Sequence, residues 1–354
     1  MKIIHCADLH LGTKFASKYP ADIAKQRQSE LRTAFSSMID FALHNDVKLI
    51  LLSGDVFDSD KPTIKDKDFF YNAVRNNPEI DFLYLNGNHD KEGSYLQTDI
   101  PNLKTFSKTN FTSYRYENIV ISGIEMDTTN AQSFYSMLEL DQSKLNIVML
   151  HGDVSDSKGM DKVRIADLRN KGIDYLALGH IHSFATGRID DRGTWAFSGC
   201  LAGRGFDECG EKGFIMLDAA DRISAQFCRS AARTIHKVDI DVSDCGDLYT
   251  IQQKLKQQTN DLSGDDILRV ELTGDLAPDI DLTDNDVISA LSRFYFVNVK
   301  NNTSVRIDPS AFDSDTSLIG EFVRGVSANA DYDADRKNTL IALGLKLLSG
   351  REVE

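Results

Sequence analysis

Five times before residue 183, an apolar strand-like run stops at a short polar patch that carries Asp, Asn or His. KIIHCA leads into Asp8 and His10 of ADLHLG, KLILLS into Asp55 of SGDVFD, and DFLYL into Asn88 and His89 of NGNHD. NIVML leads into His151 of LHGD, and DYLAL into His180 and His182 of LGHIH. Short apolar runs alternating with amphipathic stretches build a layered α/β domain. The polar residues then sit on loops at strand ends, where a rigid sheet positions chemistry.

The spacing predicts strands over 2–7, 48–53, 81–85, 119–123, 146–150 and 174–178. Between the first two, SELRTAFSSMIDFALHN places Leu31, Phe35, Met38, Ile39 and Ala42 at helical intervals, an amphipathic crossover. KDKDFFYNAVRN and DKVRIADLRNKG also read as helices, the second stopping at Gly172. After the last histidine pair come strands without long helices: FATGRID, TWAFSG, GFIMLD and ISAQFCRS, with IDDRGT suited to a hairpin turn. That half is antiparallel in part, so the expected architecture is two stacked sheets flanked by helices.

A boundary near RSAARTIHKV divides a first domain, 1–232, from a small α+β domain over 233–310. The latter offers helices at LYTIQQKLKQQT and DNDVISALSR and strands at DDILRVELTG and FYFVNVKN. A helical segment, 311–354, closes the chain with ADRKNTLIALGLKLLSG. Its Leu340, Leu343, Leu347 and Leu348 form one apolar stripe, expected to be a packing face, with Gly344 as the gap.

From Arg233 onward there are 13 Lys and Arg against 22 Asp and Glu, so most of the net charge of −14 lies in the second half. Such a balance disfavours nonspecific adhesion to nucleic acid. It leaves a nuclease open, because bound cations reverse the local charge at a site. No run approaches the roughly 18 apolar residues that cross a bilayer, and MKIIHCADLH lacks the succession of a signal peptide. A cytoplasmic location is expected. The five cysteines are an odd, unpatterned set and read as reduced thiols.

The polar patches supply the donor types that hold two divalent cations side by side. A carboxylate can bridge, an amide ligates through its carbonyl oxygen, and neutral imidazoles complete the shells. Such a pair acidifies a shared water and neutralises phosphoryl oxygens, which is what phosphate-ester hydrolysis requires. If strand geometry continues, Asp8 and His10 point the same way, as do His180 and His182. Gly54, Gly87, Gly152 and Gly179 each adjoin a proposed ligand and let backbone approach a crowded site. His5, His44 and His236 have no such context and read as structural. Phe294 and Phe296 alternate within an apolar strand and read as core.

The ordered set DxH, GDxxD, GNHD, HGD and GHxH resembles the calcineurin-like metallophosphoesterase superfamily. The resemblance implies a two-sheet α/β/β/α sandwich with a small α+β capping domain. It implies that Asp8, His10, Asp55 and His182 hold one metal, and that Asp55, Asn88, His151 and His180 hold the other. His89 would contact the phosphate and assist leaving-group protonation, with Asp58 and Asp90 supporting the ligands from behind. A narrower match, in HCADLHLG, FSGCLAGRGFDECGEKGFIMLD and the last helix, resembles the SbcD-type DNA-repair exonuclease branch, most closely its YhaO-like members. That branch implies manganese, a DNA substrate, an SbcC-like coiled-coil ATPase partner and room for a homodimer. Arg204 of LAGRGFDE becomes a candidate substrate contact. The short DTTNAQSFYSMLELDQSK segment and the acidic second half depart from a DNA-gripping surface. A phosphodiesterase or phosphatase acting on nucleotides or other small esters is therefore the alternative.

Overall fold

Runs that are apolar on both faces belong in the middle of a layered sheet, and this chain sets several side by side. The computed structural model describes residues 1–90, 99–277, 280–305 and 308–348. Two compact units are present, Met1–Thr234 and Ile235–Glu354.

The first unit begins with β1 (Lys2–Cys6), α1 (Ala21–His44), β2 (Leu49–Ser53), α2 (Ile64–Arg75) and β3 (Asp81–Leu85). It continues through β4 (Leu103–Thr105), β5 (Thr112–Tyr116), β6 (Ile119–Gly123), α3 (Phe134–Met137) and β7 (Leu145–His151). Then follow β8 (Asp153–Val154), β9 (Lys162–Val163), β10 (Tyr175–Gly179), β11 (Ala185–Arg188), β12 (Thr194–Phe197), β13 (Gly213–Ala219) and β14 (Ile223–Arg229).

One sheet has the order β14-β13-β1-β2-β3-β4 and the other β11-β12-β10-β7-β6-β5. Their centres are parallel, while β13, β14, β5 and β11 join antiparallel. Alternate residues fill the space between them: Leu49, Leu51 and Leu83 from the first sheet against Ile121, Ile147 and Met149 from the second. This is the period of two that a pleat imposes. Phe35 of α1 and Phe70 of α2 have ring centroids 5.9 Å apart, and Phe70 meets Tyr84 of β3 at 5.8 Å, so both helices cover the first sheet's outer face. On the second sheet Val148, Leu150, Leu176 and Leu178 pack with Phe134 and Tyr135 of α3. The layers are helix, sheet, sheet and helix.

Two local expectations change in this unit. The crossover helix α1 starts at Ala21 rather than Ser29, because its first turns bury Ala24 and Arg27 instead of large apolar residues. Residues 161–172 are not a helix: Lys162–Val163 pairs with Asp153–Val154, and Ile165–Leu168 is a 3₁₀ turn. Only Val163 and Leu168 are fully buried between Asp161 and Lys171, and on an α-helix they would lie about 140° apart. No single face could bury both.

In the second unit, β15 (Ile235–Asp241), α4 (Leu248–Gln258), β16 (Ile267–Thr273), β17 (Asp275–Leu276), α5 (Asp284–Ala290), β18 (Phe296–Asn301) and β19 (Ser304–Val305) precede α6 (Leu318–Ala328) and α7 (Ala334–Leu348). Strands β15, β16 and β18 form one parallel sheet. Parallel neighbours need crossovers, and α4 and α5 provide them, each opened by a capping box, Asp247 with Thr250 and Thr283 with Asp286. Ile240, Val270, Leu272, Ile251, Leu255 and Val287 share the core, and Phe294 joins it.

The terminal helix packs on a different face from the predicted stripe. Ile341 is buried with Val323 of α6, and Ala342 and Leu345 lean on the same cluster, whereas Leu343, Leu347 and Leu348 are exposed. A Cβ on Gly344 would come 2.1 Å from Phe322, so the glycine marks where α6 comes closest rather than a gap. Residues 349 and 350 of that predicted helix lie outside the described residues. No described helix is long and apolar enough to cross a membrane.

Candidate metal centre

The loops leaving β1, β2, β3, β7 and β10 converge, and they do so by abandoning strand geometry. Asp8, His10, Asp55 and His180 all have positive φ, at 54°, 47°, 54° and 100°. A left-handed backbone on a residue with a Cβ costs of order 1–3 kcal/mol and concentrates at functional sites. Asp8 and His10 thus meet through two left-handed turns, not through continued strand alternation. The turns are pinned by backbone bonds, from Asp8 N–H to Gly54 O at 3.0 Å and from His10 N–H to Asp55 O at 3.0 Å. Close approach is absolute at two glycines: a Cβ on Gly87 would lie 2.1 Å from Asp55 Oδ1, and one on Gly54 2.1 Å from His151 Nδ1.

All seven expected ligands come together, in two groups. His10 Nε2 faces His182 Nε2 at 3.1 Å, with Asp8 Oδ1 3.9 Å from His182 Nε2. Asn88 Oδ1 sits 2.9 Å from His151 Nε2 and 3.1 Å from His180 Nδ1. Asp55 Oδ2 stands between them, 3.9 Å from His10 Nε2 and 3.4 Å from His151 Nε2. Its Oδ1 accepts the His89 backbone N–H at 2.8 Å.

These spacings test whether the residues fit cations. Neighbouring ligand atoms about 2.1 Å from one ion are about 3.0–3.4 Å from each other; the His10–His182, Asn88–His180 and Asp55–His151 pairs fall in that range at 3.1, 3.1 and 3.4 Å, while Asp8–His182 and Asp55–His10 are wider at 3.9 Å. Three sets among the described residues could hold an ion: Asp8, His10 and His182; Asp8, Asp55 and His151; and His10, Asp58 and His89. The tautomers agree. His151 Nδ1–H donates to Ser53 O at 2.8 Å and His182 Nδ1–H to Glu208 Oε1 at 2.9 Å, so each Nε2 turns its lone pair inward. The donor set fits divalent cations, and Asp55 Oδ2 lies within 3.9 Å of a histidine of each group.

Electrostatics follow from the same contacts. Burial opposes the Asp55 carboxylate, but His151, His10 and the His89 N–H outweigh it and hold its pKa below the usual carboxylate range. Burial likewise disfavours a charged His151, yet the Asp55 carboxylate beside it raises its pKa to about 9, so its Nε2 lone pair is freed only when a cation displaces the proton. At His10 and His180 burial prevails and lowers the pKa. These imidazoles favour the neutral, metal-binding form.

The remaining expected residues take distinct places. His89 is exposed and its Nδ1–H donates to Asp58 O at 3.1 Å, leaving Nε2 as the basic nitrogen. Asp58 Oδ1 is 3.2 Å from His10 Nδ1, close but misaligned for a hydrogen bond. Asp90 is fully buried and accepts from the backbone N–H groups of Val56 at 2.9 Å and Phe57 at 3.0 Å, not from an imidazole. Burial, reinforced by Asp55, raises its pKa to about 6. It ties the Asp55 loop to the Asn88 loop. Arg204 is taken up by ion pairs, Nη1 to Asp58 Oδ1 at 2.8 Å and Nη2 to Glu208 Oε1 at 2.7 Å. Glu208, which the sequence placed beside Arg204 in LAGRGFDE without a role, is the carboxylate behind His182. A cavity of about 380 Å³, lined in part by Asn88, Glu125, Met126 and Asp161, adjoins the Asn88 group.

The model of the calcineurin-like phosphoesterase family matches residues 1–184, which carry every strand-end patch. The chain belongs to that family. This phosphoesterase is a metal-dependent hydrolase, as the donor set requires. It is similar to the uncharacterized metallophosphoesterase YhaO of Bacillus subtilis (strain 168), 27% identical over 276 residues, covering 72% of this chain and 67% of that protein. It is also similar to the DNA double-strand break repair protein Mre11 of Sulfolobus acidocaldarius, 23% identical over 357 residues, covering 92% of this chain and 91% of that protein. The Mre11 of Saccharolobus solfataricus is 27% identical over 215 residues, 56% of this chain and 54% of its own.

Proposed function

We propose that this phosphoesterase cleaves DNA phosphodiesters as a manganese-dependent exonuclease or endonuclease of the SbcD type, in DNA repair, with an SbcC-like coiled-coil ATPase. The observation that carries the DNA reading is the span of the likeness to the Sulfolobus acidocaldarius Mre11, which runs through both units rather than stopping with the phosphoesterase motifs. Asp8, His10, Asp55 and His182 would hold one cation and Asp55, Asn88, His151 and His180 the other. Two bound cations supply an acidified water and neutralise the phosphoryl oxygens.

The chain's own residues do the rest. His89 lies outside the proposed ligand groups with its ring fixed by the Asp58 carbonyl; once protonated at Nε2 it would pass that proton to the departing oxygen. Asp55 keeps its charge and turns Oδ2 toward both histidine groups. The net charge of −14 explains why a partner matters: this surface attracts no DNA by itself, and an ATPase subunit would supply the basic grip.

The test is hydrolysis by purified protein with MnCl2, alone and with the SbcC-like partner, on linear DNA and on small phosphodiesters. Cleavage of DNA that disappears in His89→Ala is expected. Turnover of small esters with single- and double-stranded DNA left intact would replace this reading with the small-ester phosphodiesterase that the acidic surface favours.

A further inference from the structure

The stretch from Cys200 to Lys212 carries four polar side chains at intervals of four, and all four close on His182: Arg204 and Glu208 at its ring, and Cys200 and Lys212 at its backbone carbonyl. Cys200 Sγ lies 3.5 Å from His182 O and 3.7 Å from Glu208 Oε2, and Lys212 Nζ donates to His182 O at 2.7 Å. Glu208 Oε1 accepts from His182 Nδ1 at 2.9 Å and from Arg204 Nε and Nη2 at 2.9 and 2.7 Å, while Oε2 accepts the Arg204 backbone N–H at 2.7 Å. No helix or strand spans 200–212, so the period does not come from a helix. It is a loop wrapped on His182.

Arg204 extends the wrap to the other imidazole of the same group. Its Nη1 binds Asp58 Oδ1, the oxygen that lies 3.2 Å from His10 Nδ1. One planar guanidinium therefore holds the carboxylates behind His10 and behind His182, a task that a single lysine ammonium cannot perform at both ends. Among the described residues the other group has no such device: His151 is fixed by the Ser53 carbonyl, and His180 by its own backbone N–H on Asp8 at 3.0 and 3.1 Å.

We propose that Arg204, Glu208 and Asp58 form a clamp that sets the cation affinity of the His10–His182 position and leaves the Asn88–His151–His180 position untouched. Arg204 is thus a positioning residue, not a substrate contact. The proposal rests on the reading of the cluster as a two-metal centre. Orienting partners behind metal-binding histidines typically change affinity by about 10- to 100-fold, and the clamp places that effect on one ion of two.

The experiment is calorimetric titration of metal-stripped full-length protein with MnCl2, paired with electron paramagnetic resonance of the loaded protein. Wild type is expected to bind two ions and give the signal of a coupled manganese pair. In Glu208→Gln and in Arg204→Met one binding phase should weaken by about tenfold or more, the other should stay within twofold, and the coupled signal should collapse to that of a single ion at limiting metal. Arg204→Lys should behave as Arg204→Met. The clamp is overturned if both phases keep wild-type affinity in both variants, or if both weaken equally while the melting temperature stays that of wild type. A rise in KM with unchanged metal binding would return Arg204 to substrate contact. If wild type binds one ion only, the two-metal reading fails; the clamp survives only if Glu208→Gln weakens that ion.

Discussion

The two halves of the metal centre are held by different means. His151 is 3% exposed, sits at the end of β7, and is fixed by the carbonyl of Ser53 at the end of β2, so strand packing itself sets its ring. His182 lies beyond β10 with its side chain 27% exposed, and a loop carboxylate, Glu208, sets its ring instead. One half is rigid because the sheets are rigid; the other depends on ion pairs that a single substitution can remove. Affinity and tolerance to mutation should therefore differ between them.

In the proposed ligation Asp55 serves both halves, its Oδ2 lying 3.9 Å from His10 Nε2 and 3.4 Å from His151 Nε2, so Asp55→Asn should erase the difference and have the largest effect. Loss of the shared carboxylate is expected to lower phosphodiester turnover by about 10⁴-fold and to abolish tight binding of both manganese ions in a calorimetric titration. Retention of one tight ion would show that Asp55 is not shared. Gly87→Ala tests the same residue through space alone. The new Cβ would press on Asp55 Oδ1 at 2.1 Å, and a fall of about 10²- to 10³-fold is expected, since sub-ångström displacement of reacting groups is that costly. Near-wild-type activity in that variant would mean that the Asn88 loop moves freely, against the packing described above.

The proposed ligation leaves His89 out of both halves, although its ring lies with His10 and Asp58 in a set able to hold an ion. Its replacement by alanine should cost about 10²- to 10⁴-fold in turnover while both manganese ions still bind with wild-type affinity. Loss of an ion in His89→Ala would move this residue from proton transfer to ligation, and measuring stoichiometry and rate on one sample separates the two.

What could be read from the sequence follows the same division. Each strand of the rigid half announces itself as an apolar run, and the ligand lies within a few residues of its end, so Asp55, Asn88, His151 and His180 were legible by position as well as by type. The left-handed turns at Asp8, His10 and Asp55 were not, because the usual marker of positive φ is glycine and here the strained residues are the ligands themselves. What Glu208 does was hidden for a different reason. It is 26 residues from His182 in a stretch with neither strand nor helix period, and only the four-residue recurrence of Cys200, Arg204, Glu208 and Lys212 hinted at a common target. Helix α1 lost its first turns to the same cause, since its buried Arg27 is polar and is neutralised by Glu30 and by the Gly203 carbonyl. Tertiary partners of polar residues leave little trace in local pattern.

The smallest expected effect concerns a histidine outside the centre, and it isolates what the centre adds. His5, in β1, is as buried as His151. Its Nε2–H donates to Leu178 O at 3.2 Å, so Nδ1 accepts from the Tyr175 hydroxyl at 2.9 Å; both contacts suit a neutral ring. Among the described residues no carboxylate shifts it, and burial lowers its pKa to about 3 even though the Leu178 bond works the other way, while Asp55 lifts that of His151 to about 9. The unfolded chain protonates His5 below about pH 6.5 and the folded chain does not until about pH 3, so stability from this group is present above 6.5 and is lost as pH falls between those values. The slope is roughly 1.4 kcal/mol per pH unit, or roughly 2 kcal/mol between pH 6.5 and 5. In His5→Gln, urea unfolding should give a lower stability at pH 7 but a flatter dependence from pH 7 to 5, the wild-type loss over that interval shrinking by roughly 2 kcal/mol. An unchanged acid slope would mean that His5 takes up a proton in the folded state, and that its contrast with His151 owes nothing to the absence of a carboxylate.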